Sequence, residues 1–358
     1  MTAILSCALL LSASAAAGGG FEYFYSWGRV TDDDTARAYA EIGVTDVGAH
    51  GQKGCAAAKR HGLVPYCNYT PVGPHKQVMR EDEQRMLDFI NAADLEGKAS
   101  KAEIRKAREE RRMSSGFRYG GEPDGGPALC ATKIACFLSD VDCAMAKAKL
   151  EKTLAANPDA GGIAFDYIGY SNMRSCECAD CRARLAAFLK EAGLEETQES
   201  RDKFFRASLV SYINALLAHV RKVRPGIKTT IHLYPAFLPD PLYGRDIDSE
   251  AVQETVAWYF AWPDGKIADY TKRVCGGGRR SGSVGVPFVG LNATPGRALA
   301  SKTPERLEEE LRIIIASGGR RLGVCAGSDM LKPGYREVFM KFRCGGGSPG
   351  VSKAAGSD

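Results

Sequence analysis

Asp166 is the residue whose setting most demands a chemical explanation. It closes the run Gly161-Gly162-Ile163-Ala164-Phe165, which is apolar enough to be buried. A carboxylate at the end of such a run stands either at the mouth of a pocket or inside a core, and burial of an unpaired charge is costly. The plainer alternative is an Asp that caps the loop that follows. Further carboxylates are available at Asp240, Asp264 and Asp329, and at Glu122 and Asp124 in a Gly/Pro-rich stretch. Two carboxylates facing one bond can divide the work of nucleophile or base and of acid. The second constellation is Cys176-Glu177-Cys178-x-x-Cys181. Three thiols at this spacing can bind zinc if a fourth ligand comes from Cys130, Cys136 or Cys143. They can equally form disulfides with those cysteines.

These residues need elements to position them. Phe21 to Trp27, Val44 to Ala49, Leu63 to Tyr69, Gly162 to Tyr167, Lys228 to Tyr234, Thr255 to Trp262, Phe288 to Asn292 and Arg321 to Ala326 read as eight strands. Nearly all are separated by helical patterns. Thr31-Asp32-Asp33-Asp34 supplies an N-cap and an acidic first turn for a first helix. Gln52 to Arg60 form a second. Asp140 to Ala156 form another. Phe205, Leu209, Ile213, Leu216, Val220 and Val223 make an apolar stripe at helical spacing. Thr303-Pro304 starts the helix before strand eight, and Lys332 to Phe342 closes the set. Strands alternating with helices imply parallel βαβ units. Strand one runs into Trp27-Gly28-Arg29 without a G-x-G-x-x-G turn, which argues against an open nucleotide-binding sheet. The expectation is a (β/α)8 TIM barrel over residues 21–344, with a long insertion at 75–130 after strand three and a Gly/Ser-rich, disordered tail at 345–358.

In such barrels the chemistry sits at the C-terminal ends of the strands. That rule selects Trp27, His50, Asn68, Tyr69, Asp166, Tyr167, Tyr170, His232, Tyr234, Trp262, Asp264, Asn292 and Asp329. Aromatics, amides and carboxylates in this mixture suit a sugar, whose C–H faces stack on rings and whose hydroxyls bond amides and acids. The stretch from Gly161 to Tyr170 resembles the strand-four motif of barrel glycoside hydrolases, the α-amylase-like and α-galactosidase-like group with its uncharacterised bacterial branches. That resemblance implies Asp166 as nucleophile. It implies an acid/base Asp after strand six, where this chain has Asp264. The resulting expectation is an exported glycoside hydrolase acting on an oligo- or polysaccharide. The alternatives are a non-catalytic carbohydrate-binding barrel and a metal-dependent barrel hydrolase using His50 and His232. Amidohydrolases usually carry a His-x-His after strand one, and none is present here.

Composition bounds the reading. The formal net charge is +5, and the basic run from Arg105 to Arg112 is interrupted by Glu109 and Glu110, so no nucleic-acid stripe emerges. Ile4 to Ala17, followed by three glycines, resembles a secretory signal, although Met1-Thr2-Ala3 carries no basic residue. A signal over residues 1–20 would make the protein secreted or periplasmic. The 12 cysteines fit an oxidising compartment, which favours the disulfide reading of the Cys176, Cys178, Cys181 cluster over zinc. No organic cofactor is implied, and no segment after the signal is apolar enough to span a membrane.

Overall fold

The computed structural model describes residues 20–71, 77–81, 136–170, 172, 174–233, 237, 242–257, 262–280, 282–291 and 302–343, with the side chain of Tyr167 excepted. The expected signal, most of the 75–130 insertion and the tail lie outside these residues. Eight strands, β1 (Tyr23–Val30), β2 (Asp46–Ala49), β3 (Val64–Tyr69), β4 (Gly162–Ile168), β5 (Lys228–Leu233), β6 (Ala251–Ala257), β7 (Val284–Gly290) and β8 (Arg321–Cys325), close into a barrel in sequence order. Every neighbouring pair is parallel, including β1 with β8. The fold is a (β/α)8 TIM barrel.

Eight helices among the described residues surround it: α1 (Asp33–Glu41), α2 (Gly51–Arg60), α3 (Asp140–Ala156), α4 (Ala179–Ala192), α5 (Gln198–Val223), α6 (Asp264–Cys275), α7 (Pro304–Ala316) and α8 (Tyr335–Lys341). Local chemistry sets their ends. Asp32 caps α1 by accepting from the Thr35 amide, and Thr303 caps α7 with Pro304 in its first turn. Gly193, in a left-handed conformation, ends α4. The α5 stripe is buried from Phe205 to Val220, whereas Val223 is exposed. Two pairs of helices and strands depart from strict alternation. β4 is followed by both α4 and α5, and the described residues between β5 and β6 hold only a short 3-10 turn, Gly244–Asp246.

Period-two alternation sorts each strand into a lumen face and a helix face. Tyr23, Tyr25 and Trp27 of β1 share one face, and Tyr25 packs edge-on to Tyr66 of β3 inside the barrel. Gly162 and Ala164 of β4 belong to the same interior. A Cβ at Gly162 would come 2.2 Å from the Tyr66 ring, so that ring takes the volume which glycine leaves. Gly323 of β8 gives way to the Gln253 amide in the same manner, at 2.1 Å. Residues of opposite parity, among them Cys67, Ile163, Phe165 and Ile231, are buried in the main hydrophobic core between sheet and helices.

Two strands sit earlier than their hydrophobic runs suggest. β6 begins at Ala251, not Thr255, and β7 at Val284, not Phe288. The polar residues Gln253 and Glu254 disguise β6. Both are buried, and both are satisfied by tertiary partners: Gln253 by Trp27 and Thr230, Glu254 by Arg279 and the Gly244 amide.

Candidate active site at the barrel mouth

Three register shifts interrupt the ladders, between Ser26 and Arg29, between Phe165 and Ile168, and between Thr255 and Ala257. All three lie at the C-terminal ends of their strands. They bracket Trp27 and Asp166 and immediately follow Thr255. A bulge re-aims the side chains beside it and recurs next to active sites. Here it turns the last lumen-facing residues of β1 and β4 toward the mouth.

Asp166 shares lumen parity with Gly162 and Ala164. Its side chain is 22% exposed, whereas that of His232 on β5 is 4% exposed. Asp166 Oδ1 lies 3.4 Å from His232 Nδ1, and His232 Nε2 lies 3.4 Å from Thr255 Oγ1. The imidazole stacks on Phe288 of β7, centroids 3.8 Å apart, and meets the edge of Trp27 at 6.1 Å. Packed on one face and contacted at both nitrogens, the imidazole is fixed in orientation. The solvent-facing member of the pair is the carboxylate. Beneath them, Trp27 Nε1 donates to Gln253 Oε1 at 2.8 Å, and Gln253 Nε2 donates to Thr230 Oγ1 at 2.7 Å. Five strands thus contribute to one polar and aromatic layer: β1, β4, β5, β6 and β7.

Lower in the lumen, Tyr25 is pushed well above the usual phenol range, by burial first and by the neighbouring Tyr23 and Asp46 next. It is a neutral floor under the carboxylate. Asn68 of β3 is part-buried and pairs in register with Ala164, two residues before Asp166, with its side chain beside Gly48. His50, at the N-terminus of α2, is half-buried, and burial together with Arg29 lowers its pKa.

The remaining sequence candidates separate clearly. Tyr69 was expected to line a sugar subsite. It has helix-face parity, is 1% exposed, donates to the Ala146 carbonyl of α3 and packs on Phe165. Tyr170 is 2% exposed and sits edge-on between Phe137 and Phe205. Trp262 is 2% exposed, against Tyr270 with Lys266 over its face. These three are packing residues, because each ring's faces are already covered by protein. Asp264, expected as acid/base, begins α6 with its side chain 54% exposed and its carboxylate 2.7 Å from Arg306 Nη1. Arg306 also donates to the Trp262 carbonyl. Asp329 follows β8, is buried, and pairs with Lys332 at 2.7 Å. Tyr234, Asp240, Asn292, Glu122 and Asp124 lie outside the described residues, and so does the Tyr167 side chain.

Sequence reading missed Gln253, Thr255 and Phe288 as parts of the site. Their signal was the lumen parity of β6 and β7, hidden because both strands were placed about four residues too late.

The cysteine cluster departs from its expected form. No disulfide joins any of the described cysteines, and Cys130 lies outside the described residues. Cys136, Cys176, Cys178 and Cys181 converge with all four sulfurs within 4.8 Å of one another. Cys136 Sγ lies 3.4 Å from Cys181 Sγ and 3.9 Å from Cys178 Sγ, far beyond a disulfide bond of about 2.05 Å. Among the described residues this is also the grouping of His, Cys, Asp and Glu close enough to hold an ion. His50, His232 and Asp166 do not form one.

No family model matches the chain, and no curated protein matches it. Solved structures do. The PgaB (BpsB) glycoside hydrolase domain from Bordetella bronchiseptica superposes with a TM-score of 0.53 at 12% identity, over 90% of this chain and 99% of that one. A β-galactosidase from Rahnella sp. R3 gives 0.47 at 12% identity over 86% of this chain and 50% of the other. The spore cortex-lytic enzyme SleL of Bacillus megaterium QM B1551 gives 0.45 at 8% identity over 91% and 74%. What the first of these shares with this chain, at 12% identity, is the fold.

Proposed function

We propose that this chain is an exported glycoside hydrolase whose Asp166 carboxylate acts on the anomeric carbon of an oligo- or polysaccharide. The observation that carries this reading is the Asp166–His232 pair. It places the partly exposed carboxylate at the barrel mouth, on a bulged strand end, fixed by an imidazole that is itself locked by Phe288 and Thr255. Likeness of fold to a domain named as a glycoside hydrolase supports it.

In this role Asp166 attacks as nucleophile, or draws a proton from water, as the glycosidic bond opens through an oxocarbenium-like state. His232 is a positioning residue that holds one carboxylate oxygen. Trp27, Asn68 and His50 supply the ring face and hydrogen-bonding groups of the subsite. The protonating acid is Asp264 in the first assignment. To serve, it must exchange Arg306 for the leaving-group oxygen. Asp240 and Asp329 are the competing assignments.

The test is hydrolysis of aryl glycosides and polysaccharides by the wild-type protein and by Asp166→Asn, Asp264→Asn, Asp240→Asn and Asp329→Asn. The expected result is turnover by the wild type, loss of at least a thousandfold in Asp166→Asn with retained sugar binding, and one further variant rescued by substrates with activated leaving groups. Turnover that survives in Asp166→Asn sinks the assignment. The second reading is a carbohydrate-binding barrel without catalysis, favoured by the commitment of Asp264 to Arg306. It predicts sugar binding with no cleavage in any protein of the set.

A further inference from the structure

We propose that Cys136, Cys176, Cys178 and Cys181 form a closed, structural zinc site that fastens the segment before α3 to the loop after β4. The geometry of the sulfurs carries it. Four thiolates around a tetrahedral zinc, each about 2.3 Å from the metal, stand about 3.8 Å apart along every edge. The distances of 3.4 and 3.9 Å from Cys136, and the common limit of 4.8 Å, bracket that edge. Four sulfurs at this spacing without a metal would bring together large polarisable groups that gain little from one another.

The surroundings are those of a metal-thiolate centre. The Val78 amide is directed at Cys176 Sγ at 3.4 Å, and the Cys181 amide at Cys178 Sγ at 3.5 Å. Backbone N–H groups pointing at ligand sulfurs orient them and offset their negative charge. Cys178 is the N-cap of α4, and Cys181 lies in its first turn. The positive end of that helix favours thiolate there. Cys136, Cys176 and Cys181 are buried, and Cys178 is half-buried. Four protein sulfurs fill the tetrahedron, so no position stays open for water or substrate. The site is structural and takes no part in bond cleavage. All-sulfur tetrahedral coordination selects zinc, with iron as the chemical competitor.

The consequence reaches the proposed catalytic wall. Phe137, next to Cys136, packs on Tyr170 at 4.9 Å, and Tyr170 follows Asp166 by four residues. Gln77 bonds Asn172 and the Ser175 carbonyl, tying the segment after β3 to the same loop. The metal therefore clamps the loop leaving β4 from outside the lumen.

The experiment uses the full chain, purified without chelator from zinc-supplemented medium. Elemental analysis is expected to give one zinc per chain, released by a mercurial thiol reagent and detected with a metallochromic dye. Exchange with cobalt(II) is expected to give intense tetrahedral d–d bands and a thiolate-to-cobalt charge-transfer band. Cys136→Ser and Cys181→Ser are each expected to abolish that spectrum, and the double variant to melt no lower than either single one. Since those variants can fail to fold, the cobalt spectrum of the unsubstituted protein decides independently of them. Metal-free protein that gives no cobalt charge-transfer band overturns the proposal. So does a mapped disulfide between any two of the four cysteines, or one stoichiometric iron in place of zinc.

Discussion

Removing one member of the Lys302–Glu310 pair should destabilise the protein far more than removing both. Lys302 precedes α7 and Glu310 lies within it. Both side chains are 0% exposed, with Nζ 2.7 Å from Oε2. Burial pulls Lys302 down and pushes Glu310 up, each toward its neutral form, against the attraction of the partner. Lys302→Met leaves Glu310 buried with Arg306 alone, whose Nε is 3.3 Å from Oε1. Breaking a buried pair from one side costs about 3–5 kcal/mol, or a melting shift of about 6–10 °C at about 2 °C per kcal/mol for a chain of this size. Glu310→Leu should cost a similar amount by stranding the ammonium. The double variant should not cost the sum. Lys302 Nζ also donates to the Gly290 carbonyl at the end of β7, 2.8 Å away. With both charges gone, that orphaned carbonyl is the main loss, about 1–3 kcal/mol. Urea or thermal unfolding of the four proteins, followed by circular dichroism, gives the coupling directly. Single variants that cost under about 1 kcal/mol, or a double variant whose loss equals the sum, would refute the buried-pair argument.

Two smaller perturbations test the assignments. Tyr69→Phe removes the donor to the Ala146 carbonyl on the helix side of β3. It should cost about 1 kcal/mol of stability and leave sugar affinity unchanged in titration calorimetry, whereas a subsite role would weaken binding. Asp46 sits under the Tyr25–Tyr66 cluster with its pKa raised by burial. A carboxyl whose folded pKa lies above its unfolded value favours the protonated fold, so this contribution is intact at low pH and is lost as pH rises through the folded value. Asp46→Asn should therefore raise the melting temperature at pH 8 relative to wild type and have little effect near pH 3. An equal effect at both pH values would show that charge is not the cause.

Much of this molecule was readable without coordinates. The hydrophobic rhythm of eight strands and their helices specified the barrel, and the strand-end rule pointed to Asp166 and His232 as mouth residues. Trp27 and Asn68 fell on the lumen face by the same rule. Periodicity is local, and it survives in the chain as written. What it could not supply was parity at the strands whose polar residues are buried. Gln253 and Glu254 look like loop residues until Trp27, more than two hundred positions away, and Arg279 satisfy them. It also could not tell a subsite aromatic from a packing one. Tyr69 ends its strand and Tyr170 and Trp262 follow theirs, much as Trp27 nears the end of β1, and only their neighbours in space cover their faces.

The cysteines divide in the same way. The spacing Cys176-x-Cys178-x-x-Cys181 placed three thiols on one loop and helix start. Whether they would cross-link, bind metal or stay apart depended on where Cys136 arrives and how close it comes. That is decided by α3 folding back against β3 and α5, which brings the residue before α3 to the loop after β4. Sequence determined the elements because propensity and hydrophobic period act over a few residues. Tertiary structure decided the site because distance between side chains from separate elements is a property of their packing.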